Sequence, residues 1–386
     1  MKGHIRQRGA RSFELKFDAG RDAAGKRIVE YRSFKGTKRE AQLKLAELIA
    51  AVGKGMHVMR STLTVAEHVK ERIEQWATLG KITPKTAERY RELQANQIAP
   101  HLGAVLLQEL KAADIERWHA TLRSSGRKDG KGGLSALTIR HAHRLLSKAL
   151  KEAARHDLVI RNVASMQSPP RVTRTEVTIL TADQTRDVVR RLKDHAVYTK
   201  AIIALCTGMR RSEILALRWQ HIDLDRRTIA VRAAIEETGE GLRFKTPKSQ
   251  AGTRDITLPD LVVEILREYR RQQLEQRFVL RLGKLTDDAL LFTRPASAAP
   301  QSPNALSKEW SAAAAGIGLD GITFHALRHT HASQLIDAGI DVVKISKRLG
   351  HATPTVTLEV YAHLFSQHED KSAEAINEAV AALLSV

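Results

Sequence analysis

The sequence predicts a mainly helical α+β protein with small antiparallel sheets, divided into three domains. Three observations predict it. The chain has 386 residues, more than one ordinary compact domain holds. It is 42% hydrophobic but only 4% aromatic, so its cores must be built from Leu, Ile, Val and Ala, which favours helix. Helix-start patterns recur along it, while strand-like alternation is confined to short stretches. There is no internal repeat.

Residues 1–57 form the first expected domain. The first 60 residues carry 15 Lys or Arg against 6 Asp or Glu. Phe13, Leu15 and Phe17 alternate onto one face of a strand, Asp22-Ala-Ala-Gly25 offers a turn, and a second strand runs from Arg27 to Phe34. Leu45, Leu48, Ile49 and Val52 then recur at helical spacing. The expectation is a small basic sheet backed by one helix.

Residues 61–168 read as all helix. Thr64-Val-Ala-Glu67 is a capping box, and Thr83-Pro84 opens a second helix with proline at the first helical position. Further helices are expected around Asp114 to Leu122 and from Ser135 to His156, with a polar, glycine-rich loop at Ser124 to Gly133 between them. Trp76, Tyr90 and Trp118 read as packing residues. Residues 165–178 form an exposed linker that Pro169-Pro170 stiffens. A third domain, 178–386, begins near the capping box Thr181-Ala-Asp-Gln184. It ends in a tail helix whose Ala373, Ile376, Val380, Leu383 and Leu384 share one face.

Composition narrows the function. The formal net charge of +20 draws the chain to polyanions. No apolar run reaches the ~18 residues of a membrane span, and the basic N-terminus lacks the apolar stretch of a signal peptide. The single cysteine, Cys206, cannot form an internal disulfide; it fits a reducing cytoplasm and reads as a small core residue.

The informative residues lie in the third domain, in four groups. In Thr207-Gly-Met-Arg-Arg-Ser-Glu213, Gly208 ends an apolar helix and another follows at once, so Arg210 projects from a tight junction. An arginine there also suits a helix cap or a pair with Glu213. In Phe244-Lys-Thr-Pro-Lys-Ser249, lysines lie between expected strands at Thr228 to Ala233 and Arg254 to Leu258. His325-Ala-Leu-Arg328 opens a helix running to about Ala338, with His325 and Arg328 on one face. Leu349-Gly-His351 is followed ten residues later by Tyr361. His325 and His329 have the spacing of zinc ligands, but a metalloprotease helix needs Glu where Ala326 stands, so no metal is expected. His329 and His331 read as packing or surface residues.

Each group alone is weak. All in this order resemble the tyrosine recombinase (phage integrase) family, whose motifs are Thr-Gly-x-Arg-x-x-Glu, a Pro-Lys-Ser/Thr hairpin, His-x-x-Arg, Leu-Gly-His and Tyr-x-His. The likeness spans nearly the whole chain: 61–168 resembles the core-binding domain, 178–386 the catalytic domain, and 1–57 the arm-binding domain of phage-type integrases. It implies a site-specific recombinase whose two larger domains clamp double-stranded DNA at attachment sites. Tyr361 would be the nucleophile, forming a 3′-phosphotyrosine. Arg210 and Arg328 would hold the phosphate oxygens, His325 would take the tyrosine's proton or bind the phosphate, and His351 would be a second donor. Lys248 would protonate the leaving oxygen, although Lys245 lies close by. The resemblance also implies a homotetramer in synapsis, accessory DNA-bending or directionality factors, and no cofactor. Two other readings share these residues: a type IB topoisomerase that relaxes DNA, and a DNA-binding protein without catalysis.

Overall fold

The computed structural model describes residues 3–21, 25–53, 58–173, 176–247, 250–281, 283–294, 297–365, 376–377 and 380–381. They form two compact units, Met1–Thr173 and Arg174–Val386, so the boundary falls within the expected linker.

The first unit opens with an antiparallel sheet of three strands, β1 (Gly3–Gly9), β2 (Ser12–Arg21) and β3 (Arg27–Lys35), in that spatial order. Phe13, Leu15 and Phe17 are buried on one face of β2, as their alternation requires, and pack with Ala41 and Leu45 of α1 (Lys38–Gly53). Of the turn expected at Asp22 to Gly25, residues 22–24 lie outside the described residues.

A separate apolar core is built mainly by helices: α2 (Val65–Thr78), α3 (Pro84–Leu93), α4 (Ala99–Leu102), α5 (Ala112–Ser125) and α6 (Ala136–Arg155). Thr64 and Thr83 cap their helices as the sequence reads, and Ser135 caps α6. Trp76 and Trp118 are fully buried, and each satisfies its indole N–H: Trp76 donates to Glu152 at 2.8 Å and Trp118 to the Gln97 carbonyl at 2.7 Å. Tyr90 packs edge-on against Trp76.

The second unit begins with α7 (Ala182–Arg191), capped by the Thr181–Gln184 box, followed by the apolar α8 (Tyr198–Thr207) and the single turn α9 (Arg211–Ile214). Two small antiparallel sheets come next. β4 (Ile222–Asp223), β5 (Thr228–Val231) and β8 (Arg254–Thr257) form one; β6 (Ala234–Thr238) and β7 (Gly241–Lys245) form the other. The strand expected from Thr228 to Ala233 thus ends at Val231, and the next strand, in the other sheet, begins only at Ala234. Past Val231 the Arg232 guanidinium closes the end of the β5–β8 ladder, donating to the Val231 and Arg254 carbonyls and to Asp255.

Five helices complete the unit: α10 (Asp260–Val279), α11 (Pro303–Gly316), α12 (Phe324–Asp337), α13 (Val342–Leu349) and α14 (Pro354–Phe365). Most of the unit's core lies around α8, which packs against α10 and α12. A smaller core gathers Ala332 and Ile336 of α12, Ile345 and Leu349 of α13, and Tyr361 and Leu364 of α14. Of the expected tail helix, Ala373, Leu383 and Leu384 lie outside the described residues; Ile376 and Val380 are helical and exposed. No helix among the described residues is long and apolar enough to cross a membrane.

Candidate active site

The site is assembled where helices end. The apolar run of α8 stops at Gly208, whose φ of 66° turns the chain sharply, and Arg210 follows as the N-cap of α9. A side chain at Gly208 would collide: its Cβ would lie 2.6 Å from Leu349 and 2.7 Å from His331. The close approach also brings the Gly208 carbonyl to Arg328 of α12, whose Nη1 donates to it.

Arg210 is held at three points. Its Nη1 donates to Glu213 at 2.7 Å, its backbone N–H donates to the same carboxylate at 3.0 Å, and Nη2 donates to the Gly350 carbonyl at 3.2 Å. The pair with Glu213 read from the sequence thus exists, and it orients Arg210 without consuming all its donors. Glu213 is buried, which alone would push its carboxyl up; the ion pair with Arg254, then Arg210, outweigh this and hold it below the usual value. Arg254, by sequence only a strand residue, has its side chain buried. It donates to Glu213 at 3.0 Å, to the Arg348 carbonyl at 2.7 Å and to the Gly252 carbonyl at 3.1 Å.

Arg328 is 2% exposed. Burial and the charge of Arg210 push its pKa down to about 9, still far enough above neutrality to keep it cationic. Its Nη2 has no hydrogen-bond partner among the described residues. A buried cationic N–H left unpaired is costly, so this atom calls for an acceptor.

The site histidines are held low. Desolvation, then His329 and the cations Arg328, Arg210 and Arg211, push His325 down to about 4, although the residue is exposed. Burial, then Arg328 and Arg210, do the same to His351, whose Nδ1 lies 2.8 Å from the Thr357 hydroxyl. Thr357 and Tyr361 stand one turn apart on α14, so the helix that carries the phenol also sets the His351 ring.

Tyr361 is buried, and burial raises its pKa to about 12 against the pull of Arg328 and Arg210. Its hydroxyl lies 2.7 Å from Nδ1 of His329. His329 packs against the Tyr361 ring, as the sequence reading allows, and to that packing this contact adds a hydrogen bond. Two histidines one turn apart suggest a metal or nothing in the sequence, and only the fold brings the tyrosine, 32 residues on, to His329. His331 does pack. Its Nδ1–H donates to the Leu205 carbonyl at 2.9 Å, and Nε2 accepts from Arg348 at 3.0 Å. Cys206 is half-buried, with its thiol pushed up to about 11 by burial, which opposes thiolate chemistry.

Five of the six sequence-predicted site residues are therefore gathered around two cations: Arg210 and Arg328 each act on His325, His351 and Tyr361. The sixth, Lys248, lies outside the described residues. Lys245, at the end of β7, is ion-paired with Glu236. Such a set can hold an oxyanion between fixed guanidiniums, beside a phenol whose oxygen can act as a nucleophile.

Comparison with known proteins gives the family. The phage integrase family model matches residues 178–368. An integrase of Streptomyces ambofaciens is 30% identical, over 89% of this chain and 87% of its own length. A XerC-like tyrosine recombinase of Caldanaerobacter subterraneus is 23% identical over 96% of this chain and 97% of its own. The prophage phiRv2 integrase of Mycobacterium tuberculosis is 27% identical over 82% and 77%. The fold is shared with the Tn1549 transposon integrase in complex with a circular intermediate DNA (TM-score 0.67, 22% identity, 82% of this chain and 99% of that one). It is shared too with a lambda integrase dimer bound to a COC′ core site (TM-score 0.54, 17% identity, 92% and 93%). The chain belongs to the phage integrase family: it is a tyrosine recombinase, an enzyme of site-specific DNA recombination.

The histidines make stability depend on pH. His325, His329 and His351 stand at about 4 and His331 at about 3, all below the ordinary 6.5. A histidine with a lowered folded pKa takes its proton more readily when unfolded. The stability it contributes is complete above 6.5 and is lost as pH falls toward the folded value. The melting temperature should therefore fall already between pH 6.5 and about 5, before carboxylates titrate. Melting that stays constant over that interval would contradict neutral, desolvated histidines.

Proposed function

We propose that this recombinase cuts and rejoins double-stranded DNA at attachment sites, through a 3′-phosphotyrosyl bond to Tyr361, to integrate and excise a mobile element. The observation that carries the chemistry is the unpartnered, buried Nη2 of Arg328 in a cluster that also holds Arg210, His351 and the Tyr361 phenol. A scissile phosphate supplies the acceptor that this atom needs. The names of the relatives, a prophage integrase among them, support the mobile element.

The reaction exchanges one phosphodiester for another of similar energy, so it needs no external energy source. Tyr361 Oη attacks phosphorus while the bond to the 5′ oxygen breaks. Arg210 and Arg328 hold the non-bridging oxygens, where negative charge accumulates. His351 donates a further hydrogen bond, and His325 takes the tyrosine's proton or binds a phosphate oxygen. Lys248 gives a proton to the departing 5′ oxygen. Rejoining reverses each step.

The chain is divided, in this reading, into an arm-binding domain at 1–57, a core-binding domain at 61–168 and a catalytic domain at 178–386. Two separate apolar cores in the first unit support the first division. The basic excess of the first 60 residues suits contact with phosphates of a second DNA segment. Recombination requires two paired sites, hence a homotetramer, with the tail from Ser372 docking on a neighbour and accessory DNA-bending or directionality factors joining it. The enzyme works in the cytoplasm, where its DNA substrate lies.

Two measurements test the chemistry. Tyr361→Phe should bind DNA normally and form no denaturant-resistant adduct; an adduct that persists would remove Tyr361 as the nucleophile. For the general acid, the bridging 5′ oxygen of the scissile phosphate is replaced by sulfur, which leaves as a thiolate without a donated proton because a thiol pKa is only about 8.5. Lys248→Ala should cleave ordinary DNA very slowly and recover on the sulfur substrate, while Arg210→Ala should not recover. Recovery of Lys245→Ala and not of Lys248→Ala would assign the role to Lys245.

A further inference from the structure

The nucleophile's hydroxyl has a partner that the family motifs do not name. His329 lies one turn after His325 on α12, and the two rings meet edge to face at 4.6 Å and 84°. His329 in turn meets the Tyr361 ring edge to face at 5.7 Å and 64°, and its Nδ1 is 2.7 Å from the phenol oxygen. No hydrogen bond joins His325 to Tyr361 among the described residues. His325 therefore buttresses the ring that touches the nucleophile.

We propose that His329 is a positioning residue for the recombination reaction: it accepts a hydrogen bond from the Tyr361 hydroxyl and so aims the oxygen's lone pairs at the phosphate. This rests on the reading of Tyr361 as the nucleophile. The ring of Tyr361 is already held in a buried cluster with Ala332, Ile336, Ile345, Leu349 and Leu364. What packing leaves free is rotation about the bond from ring to oxygen. A proton directed to His329 settles that rotation and turns the lone pairs away from His329. The acceptor must be neutral, and burial followed by the charge of Arg328 holds His329 down to about 4, so it is neutral at working pH. A cationic His329 would only donate, and would occupy the lone pair that attacks. Arg328 thus has two effects: it supplies charge for the phosphate and keeps its neighbour an acceptor.

The test is single-turnover formation of the covalent adduct on a nicked substrate that traps the cleaved state, with DNA affinity measured in parallel. His329→Ala should bind DNA as the parent does and form the adduct roughly ten- to a hundred-fold more slowly, the scale of a misdirected reacting atom. His329→Asn keeps a side-chain oxygen able to accept and should recover most of the rate. His329→Phe fills the volume without an acceptor and should stay slow, which separates the hydrogen bond from packing. A defect that persists on the sulfur-substituted substrate places it on the nucleophile's side. Full-rate cleavage by His329→Ala, or equal rates for the Asn and Phe variants, would overturn the proposal. If Tyr361→Phe still formed an adduct, the reading of the nucleophile would fall instead, so the two failures are distinguishable. Should the Ala variant not fold, as judged by circular dichroism, the Asn and Phe pair decides.

Discussion

One buried carboxylate, Glu213, holds the site together. It accepts from the Arg210 guanidinium and backbone and from the Arg254 guanidinium, in a place where almost no solvent reaches it. A lone charge there would be prohibitive, and two guanidiniums with matching geometry offset that cost. The consequence is positional. Arg254 also grips the carbonyl of Arg348 at the end of α13, and Arg210 grips that of Gly350. Through one acid, the start of α9, the start of β8 and the end of α13 are tied to a common point.

Two glycines let these elements come so close. Gly208 and Gly350 both end helices with φ near 66° and 69°, a conformation that costs an L side chain about 1–2 kcal/mol. Space is as decisive as the backbone. A Cβ at Gly350 would lie 2.7 Å from the Arg254 guanidinium, as one at Gly208 would strike Leu349 and His331. The Leu-Gly-His motif is therefore read three times by the fold: Leu349 fills core, Gly350 admits Arg254 and gives its carbonyl to Arg210, and His351 faces the arginines.

What the sequence makes legible is local or patterned. Capping boxes at Thr64 and Thr181 announce their helices because cap and partner are three residues apart, and the alternation of Phe13, Leu15 and Phe17 announces a buried sheet face. The arginines, histidines and tyrosine are legible because their types and order match a known chemistry. What stays hidden depends on distant partners. Arg254 is 41 residues from Glu213, and nothing near it marks it as the clasp of the site. His329 looks like a spare helical histidine until α14 is folded against α12. The break at Arg232 is hidden because the residues on both sides favour strand, and the partners of its guanidinium on β8 lie 22 and 23 residues on. The long α10 buries just Val262, Val263 and Leu266 and leaves Leu274 and Phe278 exposed, so no continuous apolar stripe announces it.

If Glu213 and Arg254 act as one clasp, their contributions to cleavage cannot be independent. The direct measurement is a double-mutant cycle with Glu213→Gln and Arg254→Gln, read as the rate of covalent adduct formation at saturating DNA. Each substitution should slow cleavage, and the double variant should be no slower than the worse single one. Losses that multiply in the double variant would show instead that the two residues serve the site separately and form no clasp.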